Sequence, residues 1–539
     1  MKRFLIFTLA VLLLAPVAFA NGGKEESQDL MVLNWNLAAD PKTLDPGLNG
    51  ASDGGDIGNN THEGLVREQE GVVIPGMAES WELTDGGRTV TFKIRKDAKW
   101  SDGSDLTAQD FVYSWKRAMD PATASEYSWI WEYTNVVGAQ DAAEGNGSLE
   151  DVGIRAVDDY TFEVKLTNPT DYFVSLMSFY HFMPVKREAV EAGPEGAWAK
   201  DPEIYVSNGP FVLTSYTIGD GLTLEKNENY WNADEVKLDV INVKFIDDAS
   251  TSYTAYQAGE FDFLSATGIP AAEIPKLIAE NPEYYIFPLL GTYYYNFNMD
   301  LDIWEDVRVR RAMNLAIDRE RIVEVLARGN VPAAGFVPPG FPDHTGADFF
   351  ETAGTYGIAT DDSGVAEAQR LMAEAGYPNG EGFPEFVMMY NTSDNHKLVA
   401  EMIQEMFKTN LGIECTLENQ EWAVFQDTRK EGDYELARGG WITDFLDPMG
   451  LLAIFQSTNT YNDPNYYNDE YDALVSRANG SVGAEHYEAL YAAQDILMTE
   501  LPIIPVYHYT DSMLSSPQVK DFTRSQLGAM DFSKAYVVR

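Results

Sequence analysis

The chain has 539 residues, so at roughly 100 to 200 residues per domain it holds several domains rather than one large core. Asp and Glu number 85 against 38 Lys and Arg, for a formal net charge of -47. With no basic run beyond residues 308–311, such a surface repels phosphate and excludes nucleic acid and anionic lipid as partners.

In chain order, residues 1–20 read as an address. Met1, Lys2 and Arg3 make a short cationic start, residues 4–14 an apolar run of signal-peptide length, and Ala18-Phe19-Ala20 an A-x-A cleavage site. Cleavage after Ala20 is expected, leaving Asn21 first; a membrane anchor fits less well, since a spanning helix needs about 20 apolar residues and Pro16 interrupts this run. Losing Lys2 and Arg3 moves the charge from -47 to -49, because residues 1–20 hold no Asp or Glu. Residues 21–29 are a small, polar leader. Aromatic residues make up 12% of the chain, too many for a disordered acidic one.

Period-two patterns at Val90, Phe92 and Ile94 and at Phe162, Val164 and Leu166 predict half-buried antiparallel strands. Between them Thr107 and Asp110 form a capping-box pattern opening a helix with Val112, Trp115 and Met119 on one face, closed by Asp120-Pro121. Segments 141–151, 191–202 and 338–364, rich in Gly, Pro or acids, read as loops. Further on, residues 386–390 form an apolar run, and 397–408 carry Leu398, Met402, Met406 and Phe407 at helical spacing. Asn410, Leu411 and Gly412 supply a stop, and Ile413, Cys415 and Leu417 alternate as a strand. Strand, helix, strand at this spacing predicts a parallel βαβ crossover, with Cys415 a small core hydrophobe. The fold class is therefore α/β, with mixed sheets flanked by helices.

Cys415 is the single cysteine, which rules out a disulfide framework and any zinc site needing two thiols. It also leaves no lipid-attachment cysteine after the signal, so no lipid anchor is expected. A freely diffusing exported protein stays with the cell only behind an outer membrane, which favours the periplasm. G-x-S-x-G, the P-loop and G-x-G-x-x-G are missing, and His62-Glu63 lacks the second histidine of H-E-x-x-H. Acidic pairs such as Asp300/Asp302 and Asp361/Asp362 read as solvated surface rather than a glycosidase pair. Asp463, Asn465, Asn468 and Asp469 are only faintly like a calcium loop. No cofactor and no metal are expected.

ADPKTLDP (39–46), HEGLV (62–66), PGMAESWEL (75–83), FKIRKDAKWSDGSDLTAQDFVYSWKRAMDPATASEY (92–127), NGPFVL (208–213), DVRVRRAMNLAIDR (306–319), YNTSDNHK (390–397), NQEW (419–422) and RGGWITDFLDP (438–448) occur in one order. In that order the chain resembles the periplasmic oligopeptide-binding proteins, the solute-binding components (family 5) of peptide ABC importers. The resemblance implies a two-lobed, hinged fold of three domains: I from 21–62, 188–290 and 511–539, II from 63–187, and III from 291–510. It implies a binding protein, not an enzyme, that takes short peptides of roughly two to five residues by the family analogy and docks on permease subunits of the inner membrane. A monomer is expected.

A peptide zwitterion brings an ammonium and a carboxylate, each needing an opposite charge when it loses water, and between them backbone that any sequence shares. Strand addition satisfies that backbone. Residues 436–446 suit it: the Gly439-Gly440 pair admits another backbone, Ile442 continues the strand, and Asp444 ends it with a carboxylate. The resemblance assigns the ammonium to Asp444 and the carboxylate end to Arg438 and His396, the latter at a helix N-terminus that itself favours an anion. Arg429 matches a further basic position. The lysine that enterobacterial members carry in the stretch matched by 324–326 is missing here, which leaves the preferred peptide length open. Trp422, Trp441, Tyr127, Tyr294 and Tyr509 match pocket-lining or ligand-bonding positions, and Ser52 one whose backbone meets the ligand; each ring's alternative is core packing. The rivals are another solute on this fold, such as an oligosaccharide, a nickel complex or a cell-wall peptide, and a secreted hydrolase.

Overall fold

The computed structural model describes residues 30–69, 71–194 and 196–539, with Met31–Arg539 as one unit; the expected signal segment lies outside the described residues. Fourteen strands carry the architecture. β1 (Val32–Asn36) is followed by β2 (Ala78–Thr84), β3 (Thr89–Ile94), β4 (Ile154–Asp158) and β5 (Thr161–Lys165), then β6 (Phe211–Thr217), β7 (Gly221–Lys226), β8 (Val240–Lys244) and β9 (Phe263–Ser265). The second half holds β10 (Tyr284–Phe297), β11 (Phe386–Asn391), β12 (Cys415–Gln420), β13 (Leu436–Ile442) and β14 (Ile503–Ser515).

β2, β3, β5 and β4 form a separate four-stranded antiparallel sheet in that order. Its two central strands are those of the period-two patterns: Val90, Phe92, Phe162 and Val164 are fully buried, and Phe92 pairs with Phe162, ring over ring. The helix packed on it, α1 (Ala108–Met119), opens as expected, with Thr107 N donating to Asp110 Oδ2 at 2.7 Å. Trp115 and Met119 are buried; Val112 is half-buried at the margin of the same face.

The other strands named above join one large sheet in the order β12-β11-β13-β10-β14-β9-β1-β8-β7-β6. Its two halves are linked through β10 and β14, the long strands of 14 and 13 residues. These pair from Tyr284↔Leu514 to Pro288↔Thr510 and again from Thr292↔His508 to Asn296↔Ile503, with the register broken between Pro288 and Thr292. At that break Gly291 lies so close to β13 that a Cβ would meet Ile442 Cα at 2.8 Å.

The βαβ crossover is present: β11 and β12 pair in parallel, joined by α2 (Asp394–Met406). The helix starts three residues earlier than the apolar spacing indicated and ends in one wide turn at Phe407–Leu411, stopped by Gly412 at φ 70°. Cys415 is buried in the same core, and burial pushes its thiol up to about 12, so it stays protonated and packs as a hydrophobe. A short helix, Ala139–Ala143, runs into the first of the expected loops, and the other two contain short helical turns, Ala197–Lys200 and Phe349–Ala353. The last forms because the Asp348 carboxylate accepts from Phe350 N at 2.9 Å and Phe349 stacks on Tyr491 at 4.1 Å, a contact 142 positions away that local composition does not show.

Several buried charges are matched within the fold. Arg319, fully buried, donates to the carbonyls of Pro505, Asn314 and Ile317 at 2.8–3.1 Å and ties α3 (Arg319–Leu326) to β14. Arg117 pairs with Asp45, and His486 Nε2 lies 3.0 Å from both Asp447 oxygens.

Candidate functional site

β13 pairs with β10 along all seven residues, from Leu436↔Phe297 to Ile442↔Gly291, but its other neighbour, β11, reaches only Leu436 and Ala437. From Arg438 onward that edge has no strand partner among the described residues. Thr443 N donates to Leu290 O on the β10 side, and antiparallel alternation then turns the N–H and C=O of Gly440 and Ile442 toward the open edge. The glycine pair lets side chains close on the strand from both faces: a Cβ at Gly439 would meet Tyr294 Cε2 at 2.5 Å, and one at Gly440 would meet Arg438 Nη2 at 2.8 Å and the Tyr509 hydroxyl.

At one end stands Asp444, 8% exposed. Among the described residues it has no cationic partner; Tyr127 Oη donates to its Oδ1 at 3.2 Å. Burial pushes this carboxyl up to about 7, against which the Tyr127 bond pulls only weakly. A carboxylate so placed gains most from an incoming cation. Asp444, Ile442, Tyr127 and Ser52 line one cavity of about 390 Å³.

Toward the other end lies Arg438. Its Nη2 donates to Tyr509 Oη at 2.9 Å and its Nη1 to Asn391 Oδ1 at 3.5 Å, while the guanidinium sits 4.9 Å from the centre of the Tyr293 ring. Among the described residues no carboxylate lies within ion-pair distance of it, and its Nε has no hydrogen-bond partner. His396, in the first turn of α2, is 5.5 Å from Tyr293 between ring centres. Burial and the neighbouring Arg438 charge drive its imidazole down to about 3, so it is neutral at physiological pH and offers a hydrogen bond rather than a charge; among the described residues its Nδ1 has no partner.

The rings divide between the two faces of β13. Tyr509 stands with Arg438. On the opposite face Trp441 donates from Nε1 to Gly450 O at 2.8 Å and packs against Tyr461 at 4.8 Å and Trp129 at 6.0 Å. Three expected residues have other surroundings. Tyr294 is buried behind Gly439 against Phe336 and Phe455. Arg429 pairs with Asp463 at 2.8 Å and donates from Nη1 to Arg438 O at 3.2 Å, so its charge is spent on holding β13. Trp422, 49% exposed, stacks on Phe425 one turn along its helix. Asp463, the first residue of the faint calcium-loop pattern, is engaged with Arg429 through one oxygen; among the described residues no cluster of three or more His, Cys, Asp or Glu is placed to hold a metal. Trp129, Tyr461, Asn391, Asp511 and Arg524 belong to these surroundings without any local motif that announces them.

An edge strand open to a second backbone, with an unpaired carboxyl at one end and a guanidinium lacking an acid toward the other, defines a binding protein for an extended ligand. Residues 72–463 match the model of the bacterial extracellular solute-binding proteins, family 5, and the chain belongs to that family. It is 35% identical to the oligopeptide-binding protein OppA of Bacillus subtilis over 99% of both chains, and 35% identical to the periplasmic oligopeptide-binding protein OppA of Escherichia coli over 90% of this chain and 89% of that one. Among solved structures it is similar to Haemophilus influenzae OppA in complex with RPPGFSPFR, with a TM-score of 0.80 and 34% identity over 95% of this chain and 99% of that one.

Proposed function

We propose that this chain is an extracytoplasmic receptor that captures short peptides in extended form and hands them to an ABC-type importer. The observation that carries the reading is the unpartnered edge of β13 with its two unmatched charges, Asp444 and Arg438. A peptide added as a strand pairs with Gly440 and Ile442 through its backbone, presents its ammonium to Asp444 and its carboxylate to Arg438, and sends successive side chains to opposite faces. Each main-chain bond contributes about 0.5–1.5 kcal/mol and each charged one about 1.5–3 kcal/mol.

In this reading the three domains are those expected from the sequence, and closure turns on β10 and β14 where their pairing breaks between Pro288 and Thr292. The protein is exported with cleavage after Ala20, works as a monomer in the periplasm and docks on permease subunits of the inner membrane. Asp444, Arg438, His396, Gly440, Ile442, Tyr127, Tyr509, Trp441 and Ser52 meet the ligand; Arg429 and Tyr294 support β13, and Trp422 lies at the outer rim.

The test is direct. Mature protein, freed of bound material by unfolding and refolding, is titrated calorimetrically with Ala-Ala-Ala, its N-acetyl form and its amide, and peptides that co-purify with it are identified by mass spectrometry. Saturable binding of the free tripeptide, weakened by either block, is expected. Binding that ignores both blocks refutes the assignment, and recovery of shortened peptides from a defined pool points to a hydrolase.

A further inference from the structure

The cavity that holds Asp444 is larger than an ammonium needs. Its wall continues through the segments around Arg67 and Glu68, Asp511, and residues 523–531. Beside the phenols of Tyr127 and Tyr180, the acids and bases on that wall are five carboxyls, Asp56, Glu68, Asp444, Asp511 and Asp531, and two guanidiniums, Arg67 and Arg524. Both guanidiniums are shared. Arg67 lies between Asp531 at 3.0 Å and Glu63 at 3.1 Å; Arg524 pairs with Asp511 and lies 3.5 Å from Asp56. Glu68 accepts from Gly71 N but, like Asp444, has no cationic partner among the described residues. One α-ammonium therefore leaves the wall with negative charge in excess. Burial raises the carboxyls of Asp56, to about 6, and Glu68, as expected of acids short of counter-charge.

Beside hydroxyl and amide groups, the wall also carries apolar side chains: Phe179, Met183, Leu289, Ile442 and Leu527 face the same space. A chamber that combines apolar side chains with surplus carboxylates suits a side chain with an apolar stem and a cationic head. Building on the peptide reading, we infer that this chamber is the subsite for the first side chain of the ligand and selects peptides whose N-terminal residue is lysine, ornithine or arginine. Asp444, itself more than nine-tenths buried, takes the α-ammonium, and the side-chain cation reaches the surplus acids beyond it.

The net charge of the whole protein also favours cations, so position is what the test must isolate. Ligand-free mature protein is titrated at pH 7.5 with Lys-Ala-Ala, Ala-Ala-Lys, Ala-Ala-Ala and Glu-Ala-Ala. Lys-Ala-Ala should bind about tenfold or more tighter than Ala-Ala-Lys, and Glu-Ala-Ala should bind weakest. Glu68→Gln should lower the ratio of the Lys-Ala-Ala to the Ala-Ala-Lys affinity. Equal affinities for the two lysine peptides, both above Ala-Ala-Ala, would leave only the overall field and overturn the subsite. Absence of binding by all four would instead bring down the peptide reading, and the subsite with it.

Discussion

Replacing Asp444 by Asn separates the cost of the ligand anchor from its use. The carboxyl titrates near 7 in the folded protein against an ordinary 3.8, so the folded state holds a proton that the unfolded state releases between about pH 4 and 7. Stability therefore falls as pH rises through that window. Three pKa units at 1.36 kcal/mol each set a ceiling of about 4 kcal/mol on the penalty above pH 7; relaxation of the cavity brings the expectation nearer 2 kcal/mol. Asn carries no such penalty and can still accept the Tyr127 hydroxyl. With an unfolding entropy of roughly 2 cal/mol/K per residue, Asp444→Asn should raise the Tm of ligand-free protein at pH 8 by about 2 °C relative to its effect at pH 4. The same variant should lose about 100-fold in affinity for a free-amine tripeptide and little for the N-acetyl form. Differential scanning fluorimetry from pH 4 to 8 and calorimetric titration measure the two halves. A Tm difference that does not change with pH, or equal affinity losses on the two peptides, would refute the reasoning.

Arg438→Gln should weaken peptides with a free carboxylate by about tenfold to 100-fold and leave the amides nearly unchanged, as calorimetry on matched pairs would show. Gly440→Ala places a Cβ 2.8 Å from Arg438 Nη2; the guanidinium must shift, and affinity should drop about tenfold while Tm falls only a few degrees. His486 is a separate pH element: burial opposes its charge, the Asp447 carboxylate outweighs burial, and the imidazole is pushed up to about 9 from 6.5. Its contribution, about 3 kcal/mol, is present below pH 6.5 and lost as pH rises through 9, so Tm should decline over that range in the native protein and less in His486→Gln.

What was legible in the sequence follows from how local each cause is. The strands at Val90 and Phe162 and the Thr107 capping box depend on neighbours a few positions away, and the βαβ crossover on alternation within 35 residues. Asp444 and Arg438 could be assigned only through the family resemblance, because in a chain with 85 acids nothing local separates a buried carboxyl from a solvated one. The neutral state of His396 arises from burial beside Arg438, 42 positions on. Arg429 could not be seen to be spent without Asp463, nor Asp511 to line the cavity without the fold of the C-terminal segment. Tyr294 sits on the face of β10 turned away from Arg438, a distinction decided by register with β13.

The contrast between satisfied and unsatisfied burial is the stronger guide to function. Several buried charges elsewhere are surrounded by partners: Arg319 has carbonyls on three sides, Arg117 has Asp45, Arg67 has two acids, His486 has Asp447. Along β13, among the described residues, the same protein leaves a carboxyl without a cation, a guanidinium without an acid and a stretch of backbone without a paired strand, within one strand and the turn that follows it. The two charges are costly where they stand, since each is buried without a counter-charge and is held by neutral hydrogen-bond partners alone. The three features share one remedy, an extended molecule with an ammonium, a backbone and a carboxylate in that order. A ligand supplying all three binds by removing costs the fold already carries, so affinity can be high while side chains are left largely unread, except where the acidic chamber beyond Asp444 reads the first.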